Sequence, residues 1–250
     1  MNKFKLDNRT ILITGASSGI GRACAVEASG MGATCILVGR NLSELQQTKE
    51  LCINQSSIVI ADLTNDIDLK KIISDIPQVD GVVHCAGIIN PRPIKFLKSE
   101  NIKEVFDINF NAPVLLTSAL LQGNKIANEA SIVFISSISS QFPYFGGSVY
   151  VSSKAALESF SKTLAIEVAS KKIRSNVLLP ALVKTQMLEK TKQAAGDENF
   201  ALYESKYPLG FGQPDDVANA VCFLLSHEAK WITGSELKMD GGLLINGMSK

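Results

Sequence analysis

The chain has 250 residues, 46% of them hydrophobic, enough to bury a substantial core and in keeping with one α/β domain. Lys plus Arg number 25 against 24 Asp plus Glu, and no basic run is interleaved with aromatics, so the charge pattern offers no footprint for nucleic acid. Five cysteines without a Cys-x-x-Cys pair, two histidines and no apolar run near the ~18 residues of a membrane span argue against a metal site, a Ser-His-Asp hydrolase and a membrane anchor. The expectation is a cytoplasmic protein with free thiols.

Along the chain, apolar β-rich runs alternate with helical periodicity, the signature of βαβ crossovers about a buried parallel sheet. The first run, Thr10-Ile11-Leu12-Ile13, enters Thr14-Gly15-Ala16-Ser17-Ser18-Gly19-Ile20-Gly21 and then an Ala-rich helical pattern. Glycines there let the backbone approach a pyrophosphate, and the positive end of the next helix holds the anion. Further strands are centred on Cys35-Ile36-Leu37-Val38, Ile58-Val59-Ile60, Gly81-Val82-Val83, Ile132-Val133-Phe134-Ile135, Asn176-Val177-Leu178-Leu179 and Glu236-Leu237-Lys238-Met239. Right-handed crossovers make these a doubly wound sheet with ligands beyond its C-terminal strand ends. The rhythm breaks at 182–207, a segment rich in Lys, Gln, Glu and Ala that reads as a substrate lid.

Tyr150-Val151-Ser152-Ser153-Lys154 places a phenol and an ammonium one helical turn apart. A free phenol has a pKa of roughly 10 and needs a nearby positive charge to work as an acid-base group near neutrality. The apolar run of the fifth strand ends in Ser136-Ser137, which brings a hydroxyl to the strand edge where Ser137 can face Tyr150. Ser136 and Ser139 are its rivals. His84 closes a strand and reads as a packed residue near the cleft.

Together these motifs resemble the short-chain dehydrogenase/reductase family over nearly the whole chain. The resemblance implies a Rossmann-type fold with a seven-stranded parallel sheet ordered 3-2-1-4-5-6-7 and helices on both faces. It also implies a catalytic tetrad of Asn109, Ser137, Tyr150 and Lys154. Tyr150 would pass the proton, Ser137 would polarise the carbonyl, Lys154 would bond the nicotinamide ribose and lower the tyrosine pKa, and Asn109 would hold a relay water. Asn109 also reads as a helix-interior kink. The cofactor turn would comprise Gly15, Ser17, Ser18, Gly19, Ile20 and Gly21. Asp62 and Leu63 would flank the adenine, although Asp62 can instead cap the next helix. Cys85, Ala86 and Gly87 would form the shelf after the fourth strand, and Pro180, Val183 and Thr185 would line the carboxamide pocket. Two departures stand out: His84-Cys85-Ala86-Gly87 where the family has Asn-Asn-Ala-Gly, which puts local rigidity in question, and Pro180-Ala181 where it has Pro-Gly.

Family members that use NAD carry an acid in place of Gly39, whereas Arg40 here can pair with a 2′-phosphate. NADP(H) is therefore favoured over NAD(H), the alternative being that Arg40 is only a solvated helix-opening residue. Ile88, Ile89, Asn90, Gln141, Phe142, Pro143, Tyr144 and Met187 describe a largely apolar pocket. The nearest type is a 3-oxoacyl-[acyl-carrier-protein] reductase, acting on a small-molecule or acyl-thioester substrate, with hydroxysteroids, sugars and other small ketones as alternatives. A carrier would need basic residues, for which Lys171 and Lys172 are candidates while Asn128 and Glu129 are unfavourable. A rival of another class is a non-catalytic nucleotide-binding sensor or scaffold. The helix expected over Ser152 to Ser170 carries more apolar residues than one buried stripe needs, and the resemblance makes it, with the tail Gly242 to Lys250, an interface of a homotetramer.

Overall fold

On the first strand, β1 (Thr10–Thr14), Ile11 and Ile13 project to one side of the sheet and Leu12 to the other, and all three are fully buried. The same alternation runs through β2 (Thr34–Gly39), where Cys35 and Leu37 join the first side and Ile36 and Val38 the second. A strand buried on both faces has no polar side, which is why these runs read as continuous hydrophobic stretches. The computed structural model describes residues 4–188 and 197–246.

The remaining strands are β3 (Ser56–Ile60), β4 (Val79–His84), β5 (Ile126–Ile135), β6 (Arg174–Pro180) and β7 (Glu236–Met239). They pair in parallel in the order β3-β2-β1-β4-β5-β6-β7, as the resemblance implied. Helices α1 (Gly19–Gly30), α2 (Leu42–Leu51), α3 (Asp66–Asp75), α4 (Ser99–Phe106), α5 (Ala112–Gln122) and α6 (Ser148–Glu167) follow in turn. Beyond β6 come α7 (Asp197–Glu204) and α8 (Pro214–Leu225). One core lies between the sheet and α1 and α8, with Ala25, Ala28, Val221 and Leu225 at its centre. The other packs α3, α5 and α6 on the opposite face through Ile72, Leu116, Leu120 and Leu157.

Local chemistry sets the helix starts. Asn41 caps α2 by accepting from the Glu44 amide, and Asn65 caps α3 by accepting from Ile67 and Asp68. Pro214 opens α8 within its first turn, where its missing N–H costs nothing.

Three boundaries differ from the sequence reading. β5 begins at Ile126, six residues upstream of the Ile132–Ile135 run on which the sequence centres it, because Glu129 takes a left-handed conformation (φ 62°) and the ladder with β4 shifts register between Val79 and Gly81. An irregularity of that kind breaks the apolar pattern without ending the pairing. The helix expected at Ser152 to Ser170 runs from Ser148 to Glu167, followed by a short 3₁₀ turn at Ala169–Lys171 that closes on left-handed Lys172. The expected lid is partly regular: Val183 bridges Gly212, and α7 ends at Glu204, which pairs with Lys184 at 3.0 Å. Its central stretch, 189–196, lies outside the described residues, as do positions 247–250 of the expected interface tail.

Candidate active site

All seven strands run the same way, so their C-terminal ends share one edge. β1 sits between β2 and β4, and the chain winds outward from it in both directions, which opens a crevice beyond that strand. The glycine turn lies at this point. Gly15 has φ +64°, and a Cβ there would stand 2.9 Å from the Ala86 amide nitrogen; a Cβ on Gly21 would stand 2.2 Å from the Gly15 carbonyl oxygen. Neither position admits a side chain, which holds the backbone low and the mouth of the turn open. Helix α1 starts at Gly19 with no side-chain cap from Ser18, leaving its first-turn N–H groups for an anion. Ser17, Ser18 and Ile20 are half-buried around this end, and Thr185 packs against Gly19 from across the crevice.

Arg22, which the sequence reading passed over, fastens the turn from behind. It donates to Thr48 Oγ1 at 3.0 Å, to the Ser17 carbonyl oxygen and to Glu44 Oε2 at 2.6 Å. A cation in the first turn of a helix opposes the dipole, and that mismatch was the available signal that Arg22 has dedicated partners.

After β4, the shelf Cys85-Ala86-Gly87 is held by Thr14. Its hydroxyl donates to the Val83 carbonyl oxygen and accepts from the amides of Cys85 (3.1 Å) and Ala86 (3.3 Å). The rigidity put in question by Cys85 is therefore supplied from β1, and the Cys85 thiol itself contacts Cys24. His84 is the packed residue anticipated: buried, stacked on Phe134 at 4.8 Å, and bonded through Nε2 to Thr117 Oγ1 at 2.9 Å. Burial pushes its pKa down to about 3, so it is neutral.

Ser137, Tyr150 and Lys154 come together on the far side of the crevice. Ser137 leaves β5 in extended backbone near the Tyr150 phenol; burial of the ring pushes the phenol's pKa up, and the neighbouring Ser137 hydroxyl opposes that rise. Ser139 donates its hydroxyl to Ser137 Oγ at 2.7 Å and its amide at 3.2 Å. Ser136 turns inward to Glu158 Oε1 at 2.6 Å and the Lys154 carbonyl oxygen. Of the three serines, Ser137 alone faces the phenol, and Ser139 orients it.

Lys154 lies one turn beyond Tyr150 on α6, with Nζ 5.8 Å from the ring centre and 2.8 Å from the Ile135 carbonyl oxygen. Burial lowers its pKa to about 8, opposed by Cys85 and Glu158. The ammonium is directed at a backbone carbonyl while remaining over the Tyr150 ring, and the Ser137 hydroxyl is the neighbour that opposes the upward shift of the phenol.

Asn109 sits in a π-helical turn, Asp107–Asn111, and is buried. Its Oδ1 accepts from the Ile88 amide at 2.8 Å, while Nδ2 donates to the Ile88 carbonyl oxygen and to Ser153 Oγ. The side chain thus uses both amide hydrogens and joins the loop after β4 to α6. The π-helical turn is the kink of one reading of Asn109, and Gly87 lies between this side chain and Lys154: a Cβ there would be 3.3 Å from Asn109 Oδ1 and 3.4 Å from Lys154 Nζ.

At the other end of the crevice, Arg40 is exposed and lies 3.9 Å from Asp62. Asp62 accepts from the Thr64 amide and hydroxyl, which holds its pKa down. It does not cap α3, a role that Asn65 fills. Leu63 is half-buried against the core. Pro180 ends β6, and Ala181 avoids the left-handed region, as a residue with a Cβ must. Val183 is buried. Gln141, expected in the pocket wall, bonds Glu236 on β7 at 3.0 Å. Among the described residues no group of three or more His, Cys, Asp or Glu is arranged to hold a metal ion, and no helix is long and apolar enough to cross a membrane.

A family model described as enoyl-(acyl carrier protein) reductase matches residues 15–244. The 3-oxoacyl-[acyl-carrier-protein] reductase FabG of Rickettsia bellii is 33% identical over 241 residues, covering 96% of this chain and 98% of that protein. The L-xylulose reductase of Mesocricetus auratus is also 33% identical, with the same coverage of both chains. Among solved structures, a putative NAD(P)-dependent gluconate 5-dehydrogenase from Beutenbergia cavernae with bound NADP superposes with a TM-score of 0.89 at 29% identity, covering 98% of this chain and all of that one. The family model runs from the glycine turn through the Tyr150–Lys154 helix to β7, and the chain belongs to the short-chain dehydrogenase/reductase family of oxidoreductases.

Proposed function

We propose that the protein reduces a carbonyl to a secondary alcohol with NADPH, or runs the reverse oxidation, and that a 3-oxoacyl thioester is its foremost substrate. The observation that carries this reading is the pairing of Ser137 with Tyr150 beside the glycine turn. Two neighbouring hydroxyls suit an oxygen on which charge develops: Ser137 steadies the forming alkoxide and Tyr150 supplies its proton. Such chemistry fits reduction of C=O, where the charge falls on that oxygen.

The residues fit a dinucleotide. Gly15, Gly19 and Gly21 leave a cradle that a Cβ would fill, and the uncapped start of α1 suits the pyrophosphate. When bound, the nicotinamide would supply or take the hydride. Ser17, Ser18 and Ile20 would hold the phosphates, Asp62 and Leu63 the adenine, Lys154 the ribose, and Pro180, Val183 and Thr185 the carboxamide end. Exposed Arg40 beside Gly39 supports NADP(H). A Cβ at position 39 would stand 3.4 Å from its nearest neighbour, the flexible end of Leu45, so Gly39→Asp with Arg40→Leu is sterically open. The pair should turn preference from NADPH to NADH; a wild type that already prefers NADH refutes the Arg40 reading.

A second reading, a small sugar-like or cyclic ketone, is favoured by one contact. Lys172, a candidate for meeting an acidic carrier, is spent on Glu129 at 3.0 Å. A panel of 3-oxoacyl thioesters, cyclic ketones and sugars assayed for NADPH consumption separates the two, and no consumption with any of them would favour a non-catalytic nucleotide-binding protein. For assembly, Ile166 is 80% exposed and Leu115 49%, which supports the homotetramer. Light scattering should give about four times 26.9 kDa, and a monomer mass rejects it.

A further inference from the structure

The loop after β4 carries three cations that the chemistry above does not use. Arg92, Lys95 and Lys98 are exposed, and none has a carboxylate within ion-pair distance among the described residues. No acidic residue occurs from Gly81 to Ser99, and the facing loop from Ser136 to Gly147 carries no charge at all. The carboxylate that does approach is Glu104, which accepts from Asn90 Nδ2 at 3.1 Å. The patch therefore keeps an excess of positive charge.

The same loop is built as a groove, and its backbone is tied to the turn that precedes the Tyr150 helix. Asn90, Arg92, Lys95, Phe96 and Lys98 are among the residues lining an open groove of about 710 Å³. Pro91 and Pro93 on either side of Arg92 fix its backbone, and the Arg92 amide donates to the Gly146 carbonyl oxygen at 2.8 Å. Gly146 stands four residues before Tyr150, and the loop leaves the site at Ile88, which is bonded to Asn109. The two loops joined here are apolar: Ile94 and Phe96 on one, and Phe142, Tyr144 and Phe145 on the other, are all exposed. Lys95 lies over the Phe96 ring at 4.9 Å.

We propose that Arg92 and Lys95 form an anion subsite at the rim of the active site, taking the carboxylate or phosphate end of an amphiphilic substrate whose apolar body lies along Phe96 and Tyr144. The positive charges supply charge-assisted hydrogen bonds, and the exposed rings gain by covering a chain. The inference rests on the reading of Tyr150 as the reducing centre, since it places the anion at one end of a molecule whose carbonyl reaches that residue.

Calorimetric binding needs no turnover and so separates this inference from the proposed activity. Decanoate and decyl phosphate are titrated into the NADPH-loaded protein, with 1-decanol as the neutral control. At least one anion should bind about tenfold or more tighter than decanol, and the double variant Arg92→Ala/Lys95→Ala should lose about tenfold for each charge-assisted hydrogen bond removed while decanol is unaffected. Added salt should weaken the anions alone. Equal affinity of anion and alcohol, no binding of either anion, or an unchanged double variant would overturn the subsite. An active enzyme with no anion preference keeps the proposed activity and loses this inference; anion binding with no carbonyl turned over does the opposite.

Discussion

Lys154 places its ammonium on the Ile135 carbonyl oxygen, not on the phenol of Tyr150 one turn before it. Burial has already brought this lysine down to about 8, so its charge is lost as pH rises through the range in which the phenol is still protonated. If that charge serves the reaction, kcat/KM for reduction is full below about pH 8 and falls about tenfold per unit above it. Lys154→Arg keeps the charge, because guanidinium titrates far higher, and should shift the alkaline limb upward in whatever activity survives. A limb that stays near 8 in this variant places the titrating group elsewhere.

The hydroxyls divide between chemistry and scaffold. Tyr150→Phe should cut kcat by about a hundredfold to ten-thousandfold with NADPH affinity retained, and Ser137→Ala by about a hundredfold or more. Ser136→Ala, which leaves buried Glu158 without its donor, should lower stability by about 1–3 kcal/mol and leave kcat nearly intact. Steady-state kinetics beside urea melts decide it, and a large kcat loss in Ser136→Ala would reverse the assignment.

Arg22→Ala removes the bonds that hold Ser17, Thr48 and Glu44 together. The glycine turn loses its brace, so KM for NADPH should rise about tenfold or more while kcat at saturation changes little. Arg22→Lys should recover only part of the loss, because one ammonium cannot reproduce the planar fork. An unchanged KM would make the brace irrelevant to cofactor affinity.

His84 should make the fold acid-sensitive. Its pKa is about 3 when folded and about 6.5 when unfolded, so between these values the unfolded chain binds more protons and stability falls with pH, by up to about 1.4 kcal/mol per unit. Stability is therefore lost as the pH drops from about 6.5 toward 3 and rises again as the pH is raised, and the contribution is complete above about 6.5. His84→Phe should flatten this slope in urea melts from pH 7 to 4.5, at a cost of about 1–3 kcal/mol at pH 7 from unpaired Thr117. A slope as steep as wild type would assign the acid limb to other groups.

The sheet could be read from the chain because strands buried on both faces leave long apolar runs, and the site because Tyr150 and Lys154 share one helix and Ser137 ends one strand. What escaped reading depends on contacts distant in sequence. Thr14 as the support of Cys85, Arg22 as the brace on α2 and Ser139 as the orienter of Ser137 are ordinary residues until the fold juxtaposes them. The start of β5 was hidden by the left-handed residue at Glu129, which interrupts the alternation. The destination of Lys154 Nζ was equally invisible, since helical spacing fixes the residue but not the rotamer of a four-carbon stem.

The Thr14 hydroxyl has a consequence for anyone redesigning this enzyme. One atom accepts the amides of Cys85 and Ala86 while its own residue begins the glycine turn, and Gly15 rests directly on Ala86. The two walls of the crevice are thus a single mechanical part and not two interchangeable modules. A graft that swaps the β4 loop for another specificity must bring a residue-14 hydroxyl and a small residue at 86 with it, or it inherits a loosened turn along with its new substrate.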